Sequence, residues 1–243
     1  MLPVATCRAT VASAVDAIAA AGEAALDAPV EHCPGFDVGR LLEHTGSFCR
    51  VVAGRVGRDE DWIPSTGRWQ DAPADEVAGD PVGWHRRWGE ELCEVLGRAE
   101  PAERMNPWAG ARSRYFWFRR AAQELTVHRC DVEHAVGKTS PIDVAVALDG
   151  IDEFLGEFGP LAAPHFGGDG DTLLFVATDA GPAFAVSAWP DRIERDTRRR
   201  PDVEVRATSE EVLLFLWGRV DPDVLDIAGD RSLLTRWRER VRL

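Results

Sequence analysis

Apolar side chains recur at every third or fourth position through the first 140 residues of this chain. Val11, Val15 and Ile18 mark such a face in the first segment, and Leu41 and Phe48 mark one in the second. Gly- and Pro-containing stretches separate the segments. The pattern predicts four helices, over residues 6–26, 38–56, 81–95 and 113–136. Helices of this length and number favour a bundle.

Residues that begin and end helices support these boundaries. Asp37 is positioned as an N-cap for the second helix, and Asp80 stands before Pro81, which suits the first turn of the third. Gly137 follows the last apolar position of the fourth helix and is a typical terminator. The first 140 residues are therefore expected to be helical.

The pattern changes after the short polar stretch 137–141, which marks a predicted domain boundary. A helix over 142–158 is followed by strand-like runs at 172–178, 183–189 and 203–207, and then by helices at 209–217 and 231–240. The prediction is an α+β protein with a helical domain over 1–140 and a smaller α+β domain over 141–243.

Composition limits the function classes. The 243 residues are 45% hydrophobic and 28% charged, as in soluble globular proteins, and their formal net charge is −13. Neither domain has the excess of positive charge that phosphate neutralisation needs, so we do not expect nucleic acid or anionic membranes as partners, and a small solute is favoured. Asp16 and Glu23 interrupt the apolar N-terminal stretch, which argues against a signal peptide or membrane span.

The cysteines indicate a reducing compartment. There are five, widely spaced and without a Cys-x-x-Cys pair, which argues against a disulfide framework and a zinc ribbon. We therefore predict a cytoplasmic location. Cys49 and Cys130 are near the candidate site in sequence, but they are expected to pack as small apolar groups rather than act as nucleophiles.

Candidate chemistry centres on Glu124 and His128. Side chains advance about 100° per residue around a helix, so Glu124 lies about 40° and Asp131 about 60° from His128 on one stripe. With His44 from the second helix, these residues could form a His/Glu/His metal site with a position open to water or substrate, and Asp131 could orient an imidazole. The same spacing also suits a histidine satisfied by a carboxylate without metal, and spacing alone does not decide between them.

The chain contains three local sequence motifs: Phe36-Asp37-x-x-x-Leu41-Leu42-x-His44, Arg120-x-x-x-Glu124-x-x-x-His128-Arg129-x-Asp131, and Leu214-x-Leu216-Trp217-Gly218-Arg219. In order and spacing they resemble the mycothiol-dependent maleylpyruvate isomerase family. The resemblance implies a DinB-like four-helix bundle that carries a zinc site, followed by an α+β domain related to sterol carrier proteins. It assigns the zinc-ligand positions to His44, Glu124 and His128.

The resemblance also implies a reaction. A zinc-bound thiol loses its proton readily, and the thiolate of the cosubstrate mycothiol would add to an activated double bond of a small electrophile, allow rotation and leave again. In related S-transferases the thiol would stay attached. Arg219 is our candidate for holding a substrate carboxylate, because a planar guanidinium suits bidentate recognition, although a salt bridge at a helix end would also explain it.

Other interpretations stay open at this point. The second domain would help enclose the thiol, and Trp62 and Trp69 could line the mouth of the site, whereas Trp84, Trp88 and Trp117 are expected to be core residues. A non-catalytic metal- or ligand-binding regulatory module and a thiol-independent zinc hydrolase are the alternatives to a mycothiol-dependent enzyme. The physiological substrate, the metal in the cell and the oligomeric state are not fixed by the sequence.

Overall fold

The computed structural model describes residues 1–57, 72–77, 79–105, 112–195 and 200–241. They fall into two compact units, Met1–Ser140 and Pro141–Leu243. Trp62 and Trp69, which we expected at the mouth of the site, lie outside the described residues.

The first unit is helical, as predicted. Its long helices are α1 (Val4–Ala24), α2 (Val38–Gly57), α4 (Pro81–Arg98) and α5 (Tyr115–Ala135). A one-turn helix, α3 (Ala74–Val77), precedes α4, and the two-residue strands β1 (Arg104–Met105) and β2 (Arg112–Ser113) pair antiparallel before α5. The predicted caps are present: the Asp37 carboxylate accepts from the backbone N–H of Arg40 at 2.7 Å, and that of Asp80 accepts from Gly83 at 2.8 Å.

The four long helices bury one common core. α1 packs on α4 and α5, and α2 packs on α4 and α5. A β-carbon on Gly46 would lie 2.4 Å from the indole of Trp84, so glycine is what lets α2 and α4 approach there. Fully buried side chains from all four helices fill the centre: Ile18, Leu41, Leu42, Leu92, Leu96, Phe118 and Leu125.

α1 is long and apolar enough to cross a bilayer by length and composition alone. Its apolar face is instead buried in the bundle, where Cys7, Val11 and Ile18 are completely covered. The helix is therefore a core element of the helical unit, while the cytoplasmic location stays a prediction.

A buried histidine ties three of these helices together. The Nε2 of His85 on α4 lies 3.1 Å from the carbonyl oxygen of Val15 on α1, and its Nδ1 lies 2.8 Å from the hydroxyl of Thr45 on α2. The carbonyl can only accept, so Nε2 donates, and the neutral ring leaves Nδ1 to accept from the hydroxyl. Burial lowers the pKa of His85 to about 4, so the ring stays neutral in the folded protein at neutral pH.

His85 should therefore make the protein acid-sensitive. In the unfolded chain the ring takes up a proton below about pH 6.5, whereas the folded ring resists it until about pH 4, so stability falls as the pH drops through this window. The loss from this group amounts to about 3 kcal/mol. Urea unfolding at pH 7 and pH 4 measures the free energy of unfolding of wild type and His85→Gln. The fall in this free energy from pH 7 to pH 4 should be smaller in the variant by about that amount. His165→Gln, at an exposed position, is the control, and an unchanged pH dependence in His85→Gln would contradict the assignment.

The second unit is α+β, which confirms the predicted class. Its helical part is α6 (Val144–Glu153), a π-helical turn (Phe154–Phe158) and α7 (Gly159–Phe166), and it is followed by β3 (Asp171–Ala177), β4 (Ala183–Ala188), β5 (Ile193–Arg195), β6 (Val203–Ala207), α8 (Ser209–Leu216), a 3₁₀ turn (Pro222–Val224), β7 (Asp226–Gly229) and α9 (Ser232–Arg240). The predicted end of the helix over 142–158 was wrong, because helical structure continues to Phe166.

The strands form one mixed sheet in the order β5-β4-β3-β6-β7. β3 and β6 are parallel at its centre, and the other neighbours are antiparallel. α8 packs on β3 and on α6, and aromatic side chains extend this core, with Phe154 and Trp217 ring centroids 4.9 Å apart and Phe166 and Trp237 centroids 5.5 Å apart.

Candidate metal centre

The helical unit brings the three predicted ligands together. His44 comes from α2, and Glu124 and His128 come from successive turns of α5. The Oε1 of Glu124 lies 3.5 Å from Nε2 of His44 and 3.4 Å from Nε2 of His128. One donor atom from each residue lies within 4.8 Å of the other two. Two imidazoles and one carboxylate therefore converge on one point.

The spacing fits metal coordination better than direct hydrogen bonding. An N–H···O bond has a usual N–O distance of 2.7–3.2 Å, and both distances to Glu124 are longer. Ligands of a tetrahedral zinc at 2.0–2.1 Å stand about 3.3–3.4 Å apart, which is close to the separations found here. The donor set and its spacing thus fit a divalent ion such as zinc.

Two other residues of α5, Asp131 and Arg120, form hydrogen bonds to the candidate ligands His128 and Glu124. The Nδ1 of His128 lies 2.9 Å from Oδ2 of Asp131, whose side chain is fully buried. Arg120 is buried and donates from Nη2 to Oε2 of Glu124 at 3.0 Å, so the other carboxylate oxygen faces the histidines. A carboxylate on the far nitrogen of a histidine fixes the tautomer and the ring orientation that a metal requires.

The loop between α1 and α2 contacts the same residues. The ring of Phe36 packs edge-on against His44 at a centroid distance of 6.2 Å, and the Sγ of Cys33 lies 3.6 Å from Oδ2 of Asp131. Cys33, His128 and Asp131 also form a group close enough to hold an ion, through the opposite ring nitrogen. Since that nitrogen is already bonded to Asp131, we assign Asp131 and Cys33 to the support of His128.

The site carries an internal charge pair. Although burial opposes charge on His128, its hydrogen bond to Asp131, the nearby Cys33 thiol and the charge of Glu124 hold the pKa of this imidazole well above the usual range. Although burial also opposes charge on Glu124, the neighbouring imidazoles of His128 and His44 and the charge of Arg120 hold the pKa of this carboxyl well below the usual range. Positive charge next to the Glu124 carboxylate is thus favoured, which is the role a divalent ion would take.

The candidate centre is reachable from solvent. The side chains of His44, Glu124 and His128 are 18%, 19% and 13% exposed. Three protein ligands leave a tetrahedral ion one position for a water or a thiol, which is the arrangement of catalytic rather than structural zinc sites. The geometry therefore suits activation of a small ligand at the ion.

Other predicted residues take different places. Arg219 lies in the second unit just after α8 and donates to the carbonyl of Trp217 at 2.7 Å, so its contact with a substrate stays a prediction. Cys49 is fully buried, and this burial raises the pKa of its thiol, as suits a packing role. Trp84 and Trp117 are buried as expected of core residues, and Trp88 is half-buried.

Sequence reasoning gave no role to Arg120, Phe36 or Cys33. The Arg120–Glu124 pair was detectable, because an i, i+4 spacing places both side chains on one helix face. Cys33 was not, since its contact with Asp131 spans 98 positions of the chain and leaves no local pattern.

Comparisons with known proteins cover both units. A family model described as the mycothiol maleylpyruvate isomerase N-terminal domain matches residues 7–133, and one described as the MDMPI C-terminal domain matches residues 145–236. A crystal structure of the mycothiol-dependent maleylpyruvate isomerase is 12% identical with a TM-score of 0.69, and a histidine-to-alanine mutant is 12% identical with a TM-score of 0.66. Each comparison covers 94% of this chain and 95% of the other, and at this identity the likeness shows the fold. A search of curated proteins found no match.

Proposed function

This chain belongs to the mycothiol maleylpyruvate isomerase family, a family of enzymes, and on that premise we propose that it is a zinc-dependent, mycothiol-using isomerase or S-transferase. The substrate is a small electrophile, and the second substrate is a low-molecular-weight thiol. The observation that carries the proposal is the convergence of His44, Glu124 and His128 at the spacing of zinc ligands.

Each residue has a defined task. His44 and His128 would present ring nitrogens to the ion, and Glu124 would present one oxygen. Asp131 fixes the orientation of His128, and Arg120 fixes that of Glu124. When bound, zinc stabilises a coordinated thiolate and so supplies a nucleophile at neutral pH. An isomerase forms one carbon–sulfur bond to an activated double bond and breaks the same bond after rotation, so thiol and protein are regenerated. A transferase keeps that bond in its product.

Arg219 is proposed to bind a carboxylate of the substrate. Its guanidinium has a rigid planar set of donors that matches the two oxygens of a carboxylate. The Trp217 carbonyl, which accepts from Nη1, gives this side chain a fixed anchor. This role rests on chemistry and on the resemblance of the Trp217-Gly218-Arg219 stretch, and it is separate from metal binding.

The experiment combines metal analysis with an activity assay. We expect purified protein to contain about one zinc per chain and to isomerise maleylpyruvate, or conjugate a related electrophile, only when mycothiol is present. Removal of zinc with a chelator should stop turnover, and added zinc should restore it. Absence of metal even after zinc is supplied would overturn the proposal.

Two further outcomes would point to the alternative functions. Stoichiometric zinc without turnover across a panel of thiols and electrophiles would support a non-catalytic binding module. Turnover that needs zinc but no thiol would support a hydrolase that uses zinc-bound hydroxide.

A further inference from the structure

We propose that Glu31, His32 and His134 form a second, surface site for a divalent transition-metal ion, with zinc as the test ion. One donor atom from each of these residues lies within 4.8 Å of the other two. We call this group the loop-tip cluster. It shares no residue with the His44, Glu124 and His128 centre, and it does not depend on the enzymatic function proposed above.

The cluster joins the loop to the end of α5. Glu31 and His32 lie at the tip of the loop between α1 and α2, and His134 lies in the last turn of α5. Nε2 of His134 is 3.1 Å from Oε2 of Glu31, and the rings of His32 and His134 have centroids 5.7 Å apart with planes inclined by 36°. Two imidazoles and a carboxylate form the donor set that zinc and similar ions prefer.

The loop presents its two ligands on an ordered backbone. The backbone N–H of Val30 donates to the carbonyl oxygen of Phe36 at 3.0 Å, and the backbone N–H of Cys33 donates to the carbonyl oxygen of Val30 at 3.1 Å. Pro29 and Asp37 form a β-bridge at its base, and Gly35 at the turn has a φ of +83° that favours glycine. Because these bonds already fix the loop, bringing Glu31 and His32 to an ion costs less conformational entropy than in a flexible segment.

Electrostatics at this position favour a cation. The C-terminal end of a helix carries partial negative charge from its unpaired carbonyl groups, and His134 lies in that final turn of α5. The chain as a whole has a net charge of −13. The exposed contact between His134 and Glu31 contributes little to stability by itself in water, and it does not explain why His32 brings a third donor to the same point.

An ion in the loop-tip cluster would fasten the loop that supports the first centre. Cys33, next to His32, contacts Asp131 behind His128, and Phe36 contacts His44. Cys33 contacts Asp131 and Glu31 contacts His134, three residues further along α5, so the loop contacts the final turns of that helix at two points. Zinc held by His32 and His134 would therefore slow opening of the loop at its contacts with both histidine ligands.

Zinc titration of the metal-free full-length protein tests the site. We expect wild type to bind one equivalent tightly and a second equivalent more weakly, since the loop-tip cluster is exposed to water. His32→Ala and His134→Ala should each lose the second equivalent and keep the first, whereas His128→Ala should lose the first and keep the second. His165→Ala removes an exposed histidine of the second unit as a matched control and should bind as wild type does.

Hydrogen exchange locates the ion independently of stoichiometry. The second equivalent of zinc should slow exchange of the backbone amides in residues 30–36 of wild type, and His134→Ala should lose this protection. If His32→Ala and His134→Ala both bound as many zinc equivalents as wild type, whether wild type binds one or two, the proposal would be overturned. Loss of the equivalent without any change in exchange of residues 30–36 would refute the link between loop and helix.

Discussion

Replacing His128 with alanine is expected to remove zinc from the catalytic centre and to abolish mycothiol-dependent turnover. In the proposed centre the ring is one of three ligands, and it also connects the site to Asp131 through its Nδ1 at 2.9 Å. Loss of a group that only orients a ligand typically lowers metal affinity 10–100-fold, so loss of the ligand itself should lower it by at least about 100-fold. Metal analysis and the isomerase assay measure the two effects on one preparation.

The pattern of variants separates loss of metal from loss of folding. His128→Ala should unfold cooperatively, because the ring lies at the edge of the core with 13% of its side chain exposed. His165→Ala is the matched control and should keep both zinc and activity. If His128→Ala kept stoichiometric zinc at the catalytic centre, or turned over at the wild-type rate, the His44, Glu124 and His128 assignment would be wrong.

The helical unit could be predicted closely because its helices are long and strongly periodic. The second helix was expected over 38–56 and lies at Val38–Gly57, and the fourth was expected over 113–136 and lies at Tyr115–Ala135. In each, an apolar stripe several turns long repeats the same signal. The N-cap residues Asp37 and Asp80 also indicated where α2 and α4 begin, and in the structure their carboxylates accept from backbone N–H groups of the first turn.

The elements that sequence reasoning missed are short or interrupted. β5 and β7 have three and four residues at the edges of the sheet, and most of their side chains are exposed, so no alternating pattern marks them. α7 contains Pro160 at its first turn and Pro164 inside it, which are breaker signals in a sequence. Phe166, the last residue of α7, packs against Trp237. This is a tertiary contact, and local propensity does not predict the helix.

The site could be predicted only along its helices. The Glu124 and His128 pair follows from spacing on α5, but the approach of His44 from α2 needed the family resemblance as well as the bundle. Contacts from the loop, such as Cys33 on Asp131, arise from the turn that Gly35 permits and from tertiary packing. These contacts join residues far apart in the chain, and periodicity carries no information about them.

Arg120→Met is expected to destabilise the metal-free protein by about 3 kcal/mol, because it removes the charged donor from Oε2 of Glu124 in a largely buried position. Arg120 is 4% exposed, and its Nη2 lies 3.0 Å from Oε2 of Glu124. Methionine keeps much of the arginine stem and removes the charge. Urea unfolding of the metal-free variant and wild type measures the difference.

Arg86→Met is the matched control. The Nη2 of Arg86 lies closer to its partner, 2.7 Å from Oε1 of Glu23, but both side chains are exposed, at 39% and 58%. The expected loss is below about 1 kcal/mol, since water screens an exposed pair. Burial, and not the shorter distance, should therefore decide which substitution is costly, and equal losses for the two variants would contradict this.

Zinc distinguishes the cause of the Arg120→Met loss. If the loss comes from the carboxylate of Glu124, which Arg120 orients, the variant should also bind zinc about 10–100-fold more weakly, and the difference in unfolding free energy should grow when both proteins are saturated with zinc. If it comes from packing of the arginine stem, zinc should leave the difference unchanged. A growing difference would place the ion against Glu124 from stability data alone, without any measurement of activity.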